Sequence, residues 1–170
     1  MTELTANAIH LGCSDSMIAV AEDCIRAAGG TPFRLDLRGV SDRPALVGAF
    51  VDTFRVPWPI DGLDAVISTA SDLDWIAGAR RFSVCVEGLD ASPPDVLRDL
   101  AIAFSRVIDR MRGAGDGCTA LFPESGRTTE VAAFLAGENE RLAELERIDP
   151  DSDTHPVPVI DHRLDPVSDD

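Results

Sequence analysis

Between Val56 and Ala79 the chain carries four carboxylates, Asp61, Asp64, Asp72 and Asp74, and not one basic residue. Trp58 and Pro59 stand just ahead of them. A solvated helix face usually mixes charge signs, because opposite charges at i,i+4 stabilise each other. A run of one sign beside an exposed aromatic has instead the chemistry of a docking surface for a cationic partner. The apolar positions Leu63, Val66, Ile67 and Ala70 define the inward side of a short helix that Asp61 is expected to cap. Asp64 and Ser68 lie one turn apart on the other side, and Asp72 continues that line if the helix reaches it.

The other candidate groups do not converge. A β-α-β opening ends in Asp36, roughly where a dinucleotide-binding unit places its ribose-binding acid. Its turn reads Gly12-Cys13-Ser14-Asp15-Ser16, with one glycine where the phosphate fingerprint needs three. His10 falls in an expected strand, and His155 and His162 fall near the C-terminus. None has a second His at helical spacing, so no metal site is expected. Cys13, Cys24, Cys85 and Cys118 form no C-x-x-C pair and read as reduced, buried thiols. No catalytic set, cofactor or metal ligand is expected, and the chain is read as a non-enzyme.

The elements that must position the acidic run follow from hydrophobic periodicity. Asn7–Gly12 reads as a strand. Ser14 or Asp15 caps a helix with Met17, Ile18, Ala21, Cys24, Ile25 and Ala28 on its apolar side, stopped by Gly29-Gly30. Phe33–Leu37 alternates as a second strand. Ser41-Asp42 caps a helix with Pro44 in its first turn and the stripe Leu46, Val47, Phe50, Val51 and Phe54. The short acidic helix follows, then a strand at Phe82–Val86. A long helix capped by Ser92 carries Leu97, Leu100, Ala101, Phe104, Val107, Ile108 and Met111, and Cys118–Phe122 is the last expected strand. The order β-α-β-α-α-β-α-β predicts an α/β fold with a small parallel sheet of three to four strands. Residues 124–148 are expected to add a helix with Val131, Phe134, Leu135, Leu142 and Leu145 in register. Residues 149–170, with seven Asp and four Pro, are expected to be a disordered acidic tail.

Composition removes whole classes. The chain has 170 residues, 30 acids against 15 bases, and a formal charge of −15. All the bases are Arg. Such a balance argues against nucleic-acid binding, which needs a basic face. No apolar run reaches the roughly 18 residues of a membrane span, and Met1–Thr5 has neither the basic nor the apolar part of a signal peptide. A cytoplasmic protein that is monomeric when free is the expectation.

The residues of the acidic run carry a resemblance. Val56-Pro57-Trp58-Pro59-Ile60-Asp61-Gly62-Leu63-Asp64-Ala65-Val66 is similar to the signature of the barstar family, intracellular inhibitors of secreted microbial ribonucleases. Ser71-Asp72-Leu73-Asp74-Trp75-Ile76 resembles a D-L-x-W-L run in longer relatives. The resemblance covers 33–122, with 7–30 as an N-terminal βα extension of a domain over 1–123. It implies a barstar-like fold and inhibition by plugging, with carboxylates standing in for RNA phosphates in a basic active site. The residues it assigns to partner contact are Trp58, Asp61, Asp64 and Asp72, with Ser68 at the rim; Asp95 or Asp99 would supply the acid of a later helix. The barnase–barstar pair is itself the standard worked case of such charge steering. The loop is one residue shorter than the family pattern, Gly62 replaces its Asn, and Ser68 stands where it has a second key Asp. The alternative reading is therefore a barstar-fold scaffold for a partner that is not a nuclease, with the Val131–Leu145 stripe as its docking helix.

Overall fold

The computed structural model describes residues 5–76, 80–113 and 116–164. Five parallel strands form one sheet in the order β2-β3-β4-β1-β5. They are β1 (Ile9–Cys13), β2 (Thr31–Asp36), β3 (Arg81–Glu87), β4 (Gly117–Pro123) and β5 (Val159–Asp161). The helices are α1 (Asp15–Ala27), α2 (Arg43–Phe54), α3 (Leu63–Ala70), α4 (Pro94–Gly113) and α5 (Thr128–Ile148). The α/β class and the parallel sheet expected from the sequence are present, with five strands rather than three or four.

The two faces of the sheet are covered unequally. Ile9, Leu11, Leu35, Phe82, Val84, Val86, Cys118, Ala120 and Phe122 point into the main core beneath α2, α4 and α5. Cys13, Cys85 and Leu121 face the other way and meet Met17, Ile18 and Ala21 of α1. The interior residues of β3 and β4 are buried on both faces, which is why they read as unbroken apolar runs. Phe50 and Phe54 of α2 reach Phe33, Phe82 and Phe104 with ring centroids 5.0–5.8 Å apart.

Caps expected from the sequence are found at two helices. The Ser14 hydroxyl accepts from the Met17 amide (3.3 Å) and the Asp42 carboxylate from the Ala45 amide (2.9 Å), each quenching a donor the helix cannot satisfy. Two other caps differ. Gly62, at φ 84°, occupies the N-cap of α3 with no side-chain bond, so Asp61 does not cap it. The Ser92 hydroxyl donates back to the Gly88 carbonyl (3.3 Å). It closes the 3-10 turn Leu89–Ala91 ahead of α4.

The C-terminal stretch departs most from expectation. The residues from 149 to 164 are laid along the protein, and 165–170 lie outside the described residues. Val157 is 2% exposed and belongs to the main core. The Asn139 side chain of α5 brackets it, donating to its carbonyl (2.8 Å) and accepting from its amide (2.9 Å). The His155 amide donates to the Asp109 carboxylate (3.1 Å). β5 then pairs with β1 from Ile9↔Val159 to Leu11↔Asp161. The Asp and Pro content conceals a short apolar run, Val157-Pro158-Val159-Ile160, which the sheet edge and α5 accept.

The stripe on α5 is also spent inside the molecule. Val131, Leu135 and Leu142 are buried and Phe134 is half-buried, with α5 packed against α4 and β1; of the expected stripe Leu145 is exposed. It is not available as a docking helix. Of the four cysteines, Cys24 is exposed, contrary to expectation, because α1 turns Ile18, Ala21 and Glu22 inward instead.

Candidate functional site

α3 is short and has no side-chain cap, so packing is its main support. Val66, Ile67 and Ala70 are buried, and the helix lies against α2 and α4. That packing turns Asp64 and Ser68 outward. The Asp64 side chain is 95% exposed, and Asp61, Ser68, Asp72 and Asp74 are exposed as well. The helix ends at Ala70 with Ser71 as C-cap. Asp72 therefore does not continue its line; it lies in the following turn beside Asp74. The Asp74 carboxylate raises the pKa of Asp72 above the usual 3.8, because two like charges this close disfavour ionisation.

The aromatic side of this surface is built from both flanking loops. Trp58, 47% exposed, meets Trp75 edge to face at 4.8 Å between ring centroids. The Trp75 indole N–H donates to the Phe54 carbonyl at the end of α2 (3.0 Å). Leu73 is buried between the two acids of its turn. The turn 71–76 is thus pinned by Leu73 and Trp75, which leaves Asp72 and Asp74 no choice but solvent. Arg55, in left-handed conformation at φ 49°, ends α2 and sends the chain into the Trp58 loop.

α4 supplies a basic border. Arg106 approaches Asp64 at 3.7 Å and Glu138 of α5 at 3.8 Å. An Arg110 guanidinium N–H donates to the Ser68 hydroxyl (3.0 Å). The expected line of Asp64 and Ser68 is therefore faced by two of the chain's own arginines, which sequence spacing within 56–79 does not reveal. The Asp64 contact is long and solvated, a geometry worth little. Ser68 is committed to Arg110. Asp95 is exposed on α4, while Asp99 is buried and held by Arg43 through two bonds of 2.7 and 2.8 Å. Asp99 joins α2 to α4 and offers nothing to a partner.

The place where parallel sheets usually take ligands is closed. The chain leaves β1 toward the face covered by α1 and leaves β4 toward the other face, so the crevice between their C-terminal ends is the switch point. Arg163 lies across it. A Cβ added to Gly12, at φ 68°, would meet Arg163 Cγ at 2.6 Å. Arg163 is itself held by Asp161 (2.9 and 2.6 Å) and by the Thr129 hydroxyl (2.9 Å). Two strands, β3 and β4, lie between β2 and β1, so Asp36 cannot reach a ligand at the first turn. Its carboxylate is engaged by Arg38 instead, which holds its pKa down at about 2. Among the described residues no group of three or more His, Cys, Asp or Glu is placed to hold a metal ion. No helix there is long and apolar enough to cross a membrane.

Fold and surface together define an α/β protein with a five-stranded parallel sheet and an exposed acidic face made by α3 and its tryptophan-bearing flanking loops. Comparison with protein-family models, curated proteins and solved structures finds no match for this chain.

Proposed function

We propose that the chain is an inhibitor of the immunity type. In this reading α3 and its flanking loops enter the basic active site of a ribonuclease, where Asp61, Asp64 and Asp72 stand in for RNA phosphates and Trp58 anchors the rim. The observation that carries it is the near-complete exposure of Asp64 beside the solvent-facing Asp72–Asp74 pair and the half-exposed Trp58. Solvent-exposed carboxylates are stabilised when a cationic cleft closes over them, and they steer its approach. A barstar-like reading of 33–122 belongs to the same proposal. The order β2-α2-α3-β3-α4-β4 and the adjacency of β2, β3 and β4 in the sheet support it.

One observation favours the second reading, a scaffold for a partner that is not a nuclease. Arg110 occupies Ser68 and Arg106 borders Asp64, so the face carries less charge than its sequence suggests. Affinity capture with the wild-type chain, followed by an RNA-cleavage assay of the captured protein, separates the two. The inhibitor reading expects a captured ribonuclease whose activity disappears at one equivalent of the chain. Full RNA cleavage in excess chain contradicts it.

A further inference from the structure

His10 is a titratable side chain the proposed function does not use. It is 1% exposed on β1. Its Nε2 lies 2.9 Å from the Thr5 carbonyl and its Nδ1 lies 3.0 Å from Nε2 of His162, which directly follows β5. The two rings lie nearly parallel, 8° apart in plane. A carbonyl can only accept, so His10 Nε2 carries the proton and His10 Nδ1 accepts from His162 Nε2–H. The His162 amide also donates to the Leu11 carbonyl (3.0 Å). The imidazole pair thus joins β1 to the outermost strand.

We propose that His10 and His162 form an acid-sensitive latch that holds β5 against β1. A proton added to Nδ1 of His162 leaves the bond intact, because Nε2–H still donates. A second proton, added to Nδ1 of His10 while His162 holds both of its own, breaks it, since two N–H groups then point at each other across 3.0 Å; a neutral His162 would shift its proton to Nδ1 and accept instead. Burial opposes that second proton most strongly, and the His162 ring opposes it too, against a contrary pull from the Thr5 carbonyl; the pKa of His10 is lowered from its ordinary 6.5. The register neighbours of His10, Leu121 on β4 and Ile160 on β5, are not titratable. Cys13 of β1 donates its thiol to the His10 carbonyl. Among the described residues the charged groups at the pair are Asp161, beside His162, and Arg163, which holds Asp161.

Linkage fixes the direction. Once β5 lifts away, His10 regains its ordinary affinity for a proton, so acid favours the lifted state. The latch is at full strength above pH 6.5 and weakens as pH falls from there toward the lowered pKa. Upstream, Val157 is clamped by Asn139 independently of either histidine. Acid should therefore release 159–164 and leave 155–158 in place.

Amide hydrogen exchange of the full chain between pH 7.5 and 5, corrected for intrinsic rates, with imidazole nitrogen shifts recorded on the same samples, tests this. The expected result is a loss of protection at Ile160 and His162 of about tenfold per pH unit below 6.5, with the Val157 amide unchanged. His10→Gln keeps a donor for Thr5 and an acceptor for His162, and should make β5 protection independent of pH. The wild-type measurement decides the matter even if that variant folds poorly. Protection at His162 that stays constant while His10 takes up its proton, or a His10 that titrates at 6.5 or above, overturns the latch.

Discussion

Replacing Asn139 with Ala removes both hydrogen bonds that bracket Val157, at 2.8 and 2.9 Å. Each net bond contributes about 1 kcal/mol, and a buried backbone group left without a partner adds to the cost. The expected loss is about 2–3 kcal/mol, which in a chain of this length lowers Tm by about 4–12 °C. The effect should appear in global unfolding and not merely as fraying, because Val157 packs in the same core as Phe122 and Leu135. Urea denaturation followed by circular dichroism reads it as a lower midpoint at unchanged slope. Asn139→Asp, which keeps the acceptor but sets a negative charge against the Val157 carbonyl, should be at least as destabilising. An unfolding free energy within about 0.3 kcal/mol of wild type for Asn139→Ala, well below the worth of one bond, would refute the claim that 155–158 are integral to the fold.

Three further outcomes follow from particular side chains. Arg43→Met leaves the buried Asp99 carboxylate without its two charged bonds, an uncompensated buried charge, and chemical denaturation should show a lower midpoint than wild type. With native protein, a thiol reagent should label one cysteine, Cys24, since burial raises Cys13 to about 12, Cys85 to about 11 and Cys118 further still; four labels without denaturant would contradict this. Carboxyl-carbon NMR should find Asp72 titrating above 3.8 and moving back toward it in Asp74→Asn. A group whose pKa is raised on folding costs stability once ionised, so stability should fall slightly as pH rises through that window, and the variant should lose the effect.

The central layer was legible in the sequence because its signals are local. The α4 stripe from Leu97 to Met111 has a 3.6-residue period that only a helix satisfies, and the doubly buried interiors of β3 and β4 read as unbroken apolar runs. The Asp42 cap with Pro44 is likewise written in adjacent residues. Strand order was not legible. Nothing in β1 states that it pairs with β4 and β5 while β2 lies at the far edge, and this pairing removes Asp36 from any first-turn site. β5 was missed because composition averaged over 22 residues hides a four-residue apolar run. The exposure of Asp64 could be read from its place off the stripe. Its border of Arg106 and Arg110 could not, because those residues come from a helix about 40 positions later. Asp99 looked like a candidate contact for the same reason: its partner Arg43 belongs to another element.

The salt dependence of association tests the central claim most directly. The captured partner is mixed with wild-type and Asp64→Asn chains by stopped flow at rising ionic strength. If exposed carboxylates on α3 steer a cationic cleft, the wild-type rate falls steeply with salt, and the variant associates more slowly with a shallower slope while melting at the same temperature. Equal rates and equal slopes for the two chains would mean that the acidic face of α3 is not the docking surface.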